Sequence, residues 1–170
     1  NSQKTGSFKI RGASNKIAAL VERGETGAVV ASSAGNHAQG VAYAAHRFGI
    51  PATIVMPKTA PIAKAKATEG YGATVVLAGD CYDDAYAKAC EICDQEYATF
   101  LHPYNDPEVI AGQGTLGLEI LGDLPTADIV IVPAGGGGLL AGVAACIKQI
   151  NPRVQVIGVQ AEGADAIAQS

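Results

Sequence analysis

Apolar residues along this chain switch repeatedly between two spacings. Ile10, Ala13, Ile17, Leu20 and Val21 recur at helical intervals up to Gly24, so the opening stretch is expected to be a helix with Lys9 in its first turn. Four short runs follow that are apolar and β-branched nearly throughout: AVVAS at 28–32, ATIVM at 52–56, ATVVL at 73–77 and ATFL at 98–101. Such runs suit strands buried on both faces of a sheet. Helical spacing returns between them, around 37–47, 60–70 and 83–96, and strands alternating with helices call for a parallel sheet with right-handed crossovers. After HPYNDP the alternation resumes. It runs through a helix at about 107–122, a strand DIVIV at 128–132, a glycine run, a helix to Ile150, a strand VQVIGVQ at 154–160 and a short last helix.

No period of about 20 to 50 residues repeats, which excludes solenoids and propellers. The pattern predicts an α/β protein with two lobes of parallel-sheet βαβ units. Composition agrees: with 48% hydrophobic and 16% charged residues among 170, the chain can bury a core and has too few charges to be disordered. Its 21 Gly and 8 Pro gather in short clusters between apolar runs, as tight strand-to-helix connections require. The formal charge of −4 offers no general attraction to phosphate backbones or anionic lipid, and three Phe with no Trp leave little for base stacking. Nucleic acid is therefore not an expected partner, and neither is a membrane. No apolar run reaches the roughly 20 residues of a span and no basic-then-apolar leader opens the chain, so a soluble, cytoplasmic protein is expected.

Four cysteines, Cys81, Cys90, Cys93 and Cys146, occur in a chain large enough to fold without disulfide staples, so reduced thiols are expected. Cys90 and Cys93 form a C-x-x-C, but inside a helical stretch and without a second pair to complete a zinc site. They read as helix-packing thiols.

Two strand-to-helix junctions carry chemistry. PAGGGGLLAG, 133–142, places four consecutive glycines where backbone N–H groups can surround an anion at a helix N-terminus. A single glycine would make the turn with less loss of chain entropy, so a phosphate is the expected occupant. Gly136-x-Gly138-x-x-Ala141, with Glu162 roughly 20 residues on, also fits the looser dinucleotide fingerprint. That alternative, a non-catalytic Rossmann-like nucleotide-binding module, leaves GSFKIRG at 6–12 unexplained.

SSAGNHAQG, 32–40, likewise closes a strand and opens a helix, with backbone donors, the Asn36 amide and the His37 imidazole expected at one rim that suits a carboxylate. Plain capping by Ser33 or Asn36 is the simpler reading of that stretch alone. Ligands of open parallel sheets lie beyond the carboxyl ends of the strands, so both turns are expected at one cleft. A lone lysine on a helix is usually solvated. Lys9, flanked by Phe8 and Ile10 in a first turn where the dipole prefers acids, is instead a candidate amine nucleophile of lowered pKa, able to form a Schiff base.

Taken together, KTGSFKIRGA, SSAGNHAQGVAYAA, DPEVIAGQGTLGLEI and VPAGGGGLLAG resemble the fold type II pyridoxal-phosphate enzymes over the whole chain, most closely the threonine (serine) dehydratases, also called deaminases, with the serine racemases nearby. The resemblance implies that pyridoxal 5'-phosphate is bound as a Schiff base on Lys9, with Phe8 against its ring and Asn36 bonded to its phenolic oxygen. It implies that Gly135, Gly136, Gly137, Gly138 and Leu139 bind the cofactor phosphate, and that Ser33, Ala34, Gly35, Asn36 and His37 receive the carboxylate of a small amino-acid substrate. SFKIR and SAGNH stand where the sulfhydrylase branch has SVKDR-like and TSGNTG-like motifs, which favours a dehydratase. Ala34 stands where racemases carry a second serine, which disfavours racemisation.

The implied reaction is β-elimination: Lys9 leaves the cofactor, removes the substrate α-proton, and threonine or serine yields 2-oxobutanoate or pyruvate plus ammonia. Some relatives bind a cation near the position of Glu162. Here Glu162 and Asp165 are present but Ala168 replaces a second acidic ligand, so no metal is expected. The resemblance further implies a small α/β domain at 28–104, with 1–27 and 105–170 forming part of a large cofactor-binding domain in a longer, homo-oligomeric protein. An internal piece of that kind is expected to leave strands unpaired and apolar helix faces uncovered.

Overall fold

A computed structural model describes residues 2–170, in two compact units divided between Pro103 and Tyr104. The first contains α1 (Lys9–Glu22), β1 (Val29–Ser32), α2 (Asn36–Phe48), β2 (Ala52–Met56), α3 (Ile62–Gly70), β3 (Thr74–Leu77), α4 (Tyr82–Glu96) and β4 (Thr99–Phe100). Its strands form one parallel sheet in the order β3-β2-β1-β4, with Val29 level with both Ala52 and Thr99. Alternate residues of β1 and β2 feed two cores. Val29, Ala31, Ile54 and Met56 pack with Ile17 and Leu20 of α1 and Val41 and Ala45 of α2, whereas Val30 and Val55 pack with Ala85, Ala89 and Ile92 of α4. Both parities are apolar because both faces are covered.

The four runs are not equally buried. β3 is the edge strand, and its Thr74 and Leu77 are exposed, which corrects the expectation of burial on both faces for that run. β4 is only two residues long. α1 lies against α2 and shares its core.

The second unit contains α5 (Pro107–Asp123), β5 (Ile129–Pro133), α6 (Gly138–Ile150), β6 (Gln155–Val159) and α7 (Ala166–Gln169), with β5 and β6 paired in parallel. Val130 and Val132 pack with Val143 and Ile147 of α6 and with Leu116 and Ile120 of α5. The opposite face of the strand pair exposes Ile129, Ile131, Ile157 and Val159. α5 and α6 approach closely at glycines: a Cβ on Gly114 would lie 2.9 Å from the Gly142 carbonyl oxygen. Among the described residues no helix is long and apolar enough to cross a membrane.

Candidate functional site

From β1 the first unit builds outward through β2 to β3, then returns to place β4 on the other side of β1. The boundary between β1 and β4 is therefore a topological switch point, and ligands of open parallel sheets lie beyond the carboxyl ends of strands at such points. Two segments leave the sheet there, 33–35 after β1 and 101–103 after β4. Leu101 is still anchored, its N–H donating to the Val30 carbonyl at 2.8 Å. Its own carbonyl accepts from Nε2 of His37 at 2.9 Å.

His37 is 3% exposed, so its imidazole is not at the rim where the sequence placed it. It lies on the face of α2 that also buries Val41 and Ala45, and only its backbone N–H stays with the turn. Burial pushes its pKa down to about 4; the Leu101 carbonyl opposes this, and the nearby charges of Lys9 and His102 add to it. The ring is neutral at pH 7. A carbonyl only accepts, so the hydrogen sits on Nε2, and the buried Nδ1 has no partner.

Lys9 begins α1 with no acidic residue in the first turn, and its N–H donates to Ser7 Oγ at 3.3 Å. The side chain turns to the same segment as His37: Nζ donates to the Pro103 carbonyl at 2.6 Å and lies 5.5 Å from the centroid of the half-buried Phe8 ring. Burial lowers its pKa below that of an ordinary lysine. A larger fraction of neutral amine follows, which is the form that attacks carbonyls.

Helix N-termini in this chain differ in how they are capped. α4 and α5 have acidic caps: Asp84 accepts from the N–H of Asp80 and Cys81, and Asp106 from the N–H of Glu108 and Val109. α2 and α6, like α1, α3 and α7, have neither a side-chain cap nor an acid in the first turn. Ser33 does not cap α2, since its Oγ accepts from the Gly35 N–H at 3.2 Å. Open N–H groups at the positive end of a helix suit an anion. Exposed Asn36 presents Oδ1 to Lys64 Nζ at 3.3 Å, and because an ammonium only donates, its amide NH₂ is left as the donor for a ligand.

The glycines between β5 and α6 serve different purposes. Gly137 has φ +85, where a side chain is strained. A Cβ on Gly136 would lie 2.5 Å from the Tyr104 ring, and one on Gly138 would lie 2.8 Å from the Tyr104 carbonyl oxygen. Gly135 faces open space. Gly136, Gly137 and Gly138, with Tyr104, Ile110, Leu140 and Ile167, border a cavity of about 330 Å³, and Leu139 follows in the first turn of α6. A phosphate fits such a turn: the donors are uncapped, and a Cβ is tolerated sterically only at Gly135. Tyr104, Leu101 and Pro103 were missed as candidates, although the HPY that contains two of them directly follows a strand and carries a proline.

The cysteines differ in setting: Cys93 packs against the core under α4, whereas Cys81 is exposed. Cys90 and Cys93 lie on α4, and burial pushes the Cys93 thiol up to about 11. No group of three or more His, Cys, Asp or Glu placed to hold a metal occurs among the described residues.

The chain is 59% identical over 170 residues to the L-threonine ammonia-lyase of Thermotoga maritima, a match covering 100% of this chain and 42% of that protein. Among solved structures, the processed form of threonine deaminase isoform 2 from Solanum lycopersicum superposes with a TM-score of 0.95 at 45% identity, over 99% of this chain and 49% of that one. Maize serine racemase also gives 0.95, at 42% identity, over 99% of this chain and 51% of that one. The chain thus spans about half the length of the relatives it matches. Its α/β architecture with parallel strands is that of these fold type II enzymes. Residues 1–170 match the pyridoxal-phosphate dependent enzyme family from end to end, and the chain belongs to that family.

Proposed function

We propose that this chain carries the reactive lysine and both anion-binding turns of a pyridoxal-phosphate-dependent ammonia-lyase that converts L-threonine or L-serine to 2-oxobutanoate or pyruvate plus ammonia. The observation that carries this reading is Lys9, a half-buried amine of lowered pKa at the switch point of a parallel sheet, in a chain 59% identical to an L-threonine ammonia-lyase.

When bound, pyridoxal phosphate supplies an aldehyde that condenses with amines and a ring that accepts electrons from a neighbouring C–H bond. Lys9 Nζ is the point of attachment, since burial favours the neutral amine that this role requires. The same Nζ, once free, takes the α-proton of the substrate. Phe8 offers an apolar face beside that amine, and the Asn36 NH₂ a donor to the phenolic oxygen. The N–H groups of Gly135, Gly136, Gly137, Gly138 and Leu139 hold the phosphate. The backbone of Ser33, Ala34, Gly35, Asn36 and His37 receives the substrate carboxylate, with His37 contributing its N–H and not its ring.

Racemisation of serine is the second reading, favoured by the likeness to maize serine racemase. The methyl of Ala34 supplies no acid or base for the opposite face of a substrate, which weighs toward elimination. The family resemblance further supports a cytoplasmic, homo-oligomeric whole enzyme. The test is an absorption spectrum of the protein with pyridoxal phosphate, before and after borohydride, followed by peptide mapping and assays for 2-oxo acid and D-serine. A pyridoxyl group on Lys9 with 2-oxo acid formation is the expected result; a label on another lysine, or D-serine as the main product, would overturn the assignment.

A further inference from the structure

Two carbonyl oxygens on one short segment are held from two different helices. Leu101 is bonded by His37 of α2 at 2.9 Å, and Pro103 by Lys9 of α1 at 2.6 Å. Little can give between them. Leu101 is fully buried and its N–H is tied to Val30. His102 precedes a proline, which confines it to extended backbone, and the Pro103 ring fixes its own φ. A shift at Leu101 is therefore passed on to the Pro103 carbonyl.

Histidine is also a costly occupant of its position. Its Nδ1 is a buried acceptor without a donor, a penalty that an apolar side chain of similar volume would avoid. What the ring supplies in return is a donor for Leu101, the first residue past the end of β4. We propose that His37 is a positioning residue for Lys9: through its bond to Leu101 it sets where the Pro103 carbonyl stands, and thereby where the lysine amine rests and how far water is kept from it. The catalytic meaning of this role rests on the function proposed above; its test does not.

The test is acylation of the full chain by acetic anhydride over a pH series without cofactor, with the lysine-containing peptides quantified by mass spectrometry and exposed Lys66 as internal reference. In His37→Leu the limiting rate at Lys9 relative to Lys66 should rise roughly two- to tenfold, as expected for one lost hydrogen bond, and the midpoint of the Lys9 pH profile should move up. His37→Gln, whose amide can donate to Leu101, should restore both. A folded His37→Leu protein with an unchanged Lys9 profile, or failure of Gln to restore it, would overturn the proposal. Should the Leu variant not fold, the ring ¹⁵N shifts of the wild-type protein decide: the hydrogen must be on Nε2, and a ring protonated on Nδ1 instead would refute the role. Failure of pyridoxal phosphate to label Lys9 would count against the proposed function and leave these results standing.

Discussion

A Cβ built on Gly40 of α2 would lie 3.1 Å from the Lys9 carbonyl carbon and 3.1 Å from the Ile10 nitrogen, so α2 passes tightly against the backbone of Lys9 and a side chain there would have to displace it. Gly40→Ala should push α1 from α2 and lower stability by about 1–3 kcal/mol, measured as the urea midpoint, because backbone cannot move aside as a flexible side chain can. The same substitution should alter the rate at which Lys9 reacts with pyridoxal phosphate, a separation of effects that a remote core variant would not produce.

Lys9→Ala should remove the borohydride-stable adduct and reduce 2-oxo acid formation from L-threonine at least about 10³-fold, since the proposed function puts attachment and proton removal on one amine. Far-UV circular dichroism and the urea midpoint should change little. The side chain lies at a helix start and holds one carbonyl, which is a small part of the core.

The glycine turn makes a prediction about which glycine matters for what. Gly136→Ala meets the Tyr104 ring and should cost stability, about 1–3 kcal/mol, as well as cofactor affinity. Gly135→Ala meets nothing within 4 Å and should leave stability within about 0.5 kcal/mol while weakening pyridoxal phosphate binding. Adding Tyr104→Ala to Gly136→Ala should return part of the lost stability, so that a double-mutant cycle on urea midpoints is strongly non-additive. Equal stability losses at both glycines would contradict the packing described for the turn.

His37 predicts an acid dependence of stability. Its folded pKa of about 4 lies below the unfolded value of 6.5, so the unfolded chain binds more protons between these values. Stability contributed by the neutral ring is present above pH 6.5 and lost as pH falls toward 4, about 3 kcal/mol in all. His37→Gln should flatten the urea midpoint over that window, and an unchanged slope would place the acid sensitivity elsewhere.

Periodicity was enough to find every strand and helix that frames the site, because burial on a helix or sheet face imposes its spacing on nearby residues whatever their distant partners. It could not distinguish β3 from β1. An apolar run looks the same in an edge strand as in a central one, and strand order is settled by which segments pair across the sheet. The four motifs likewise single out Lys9 and the two turns as candidates, since glycine content and helix-start chemistry are local.

The burial of the His37 ring was not local in this sense. It depends on which side of α2 meets the sheet, and the ring's partner is Leu101, 64 residues away. The carbonyl that holds Lys9 is more remote still, 94 residues along the chain, on a residue whose side chain has no polar atom to attract notice. The sequence by itself determined the elements and the glycine turns and singled out Lys9 as the candidate amine. Only the tertiary structure decided what that amine rests against, because backbone carbonyls carry no sequence signature and are brought to a side chain by strand order alone.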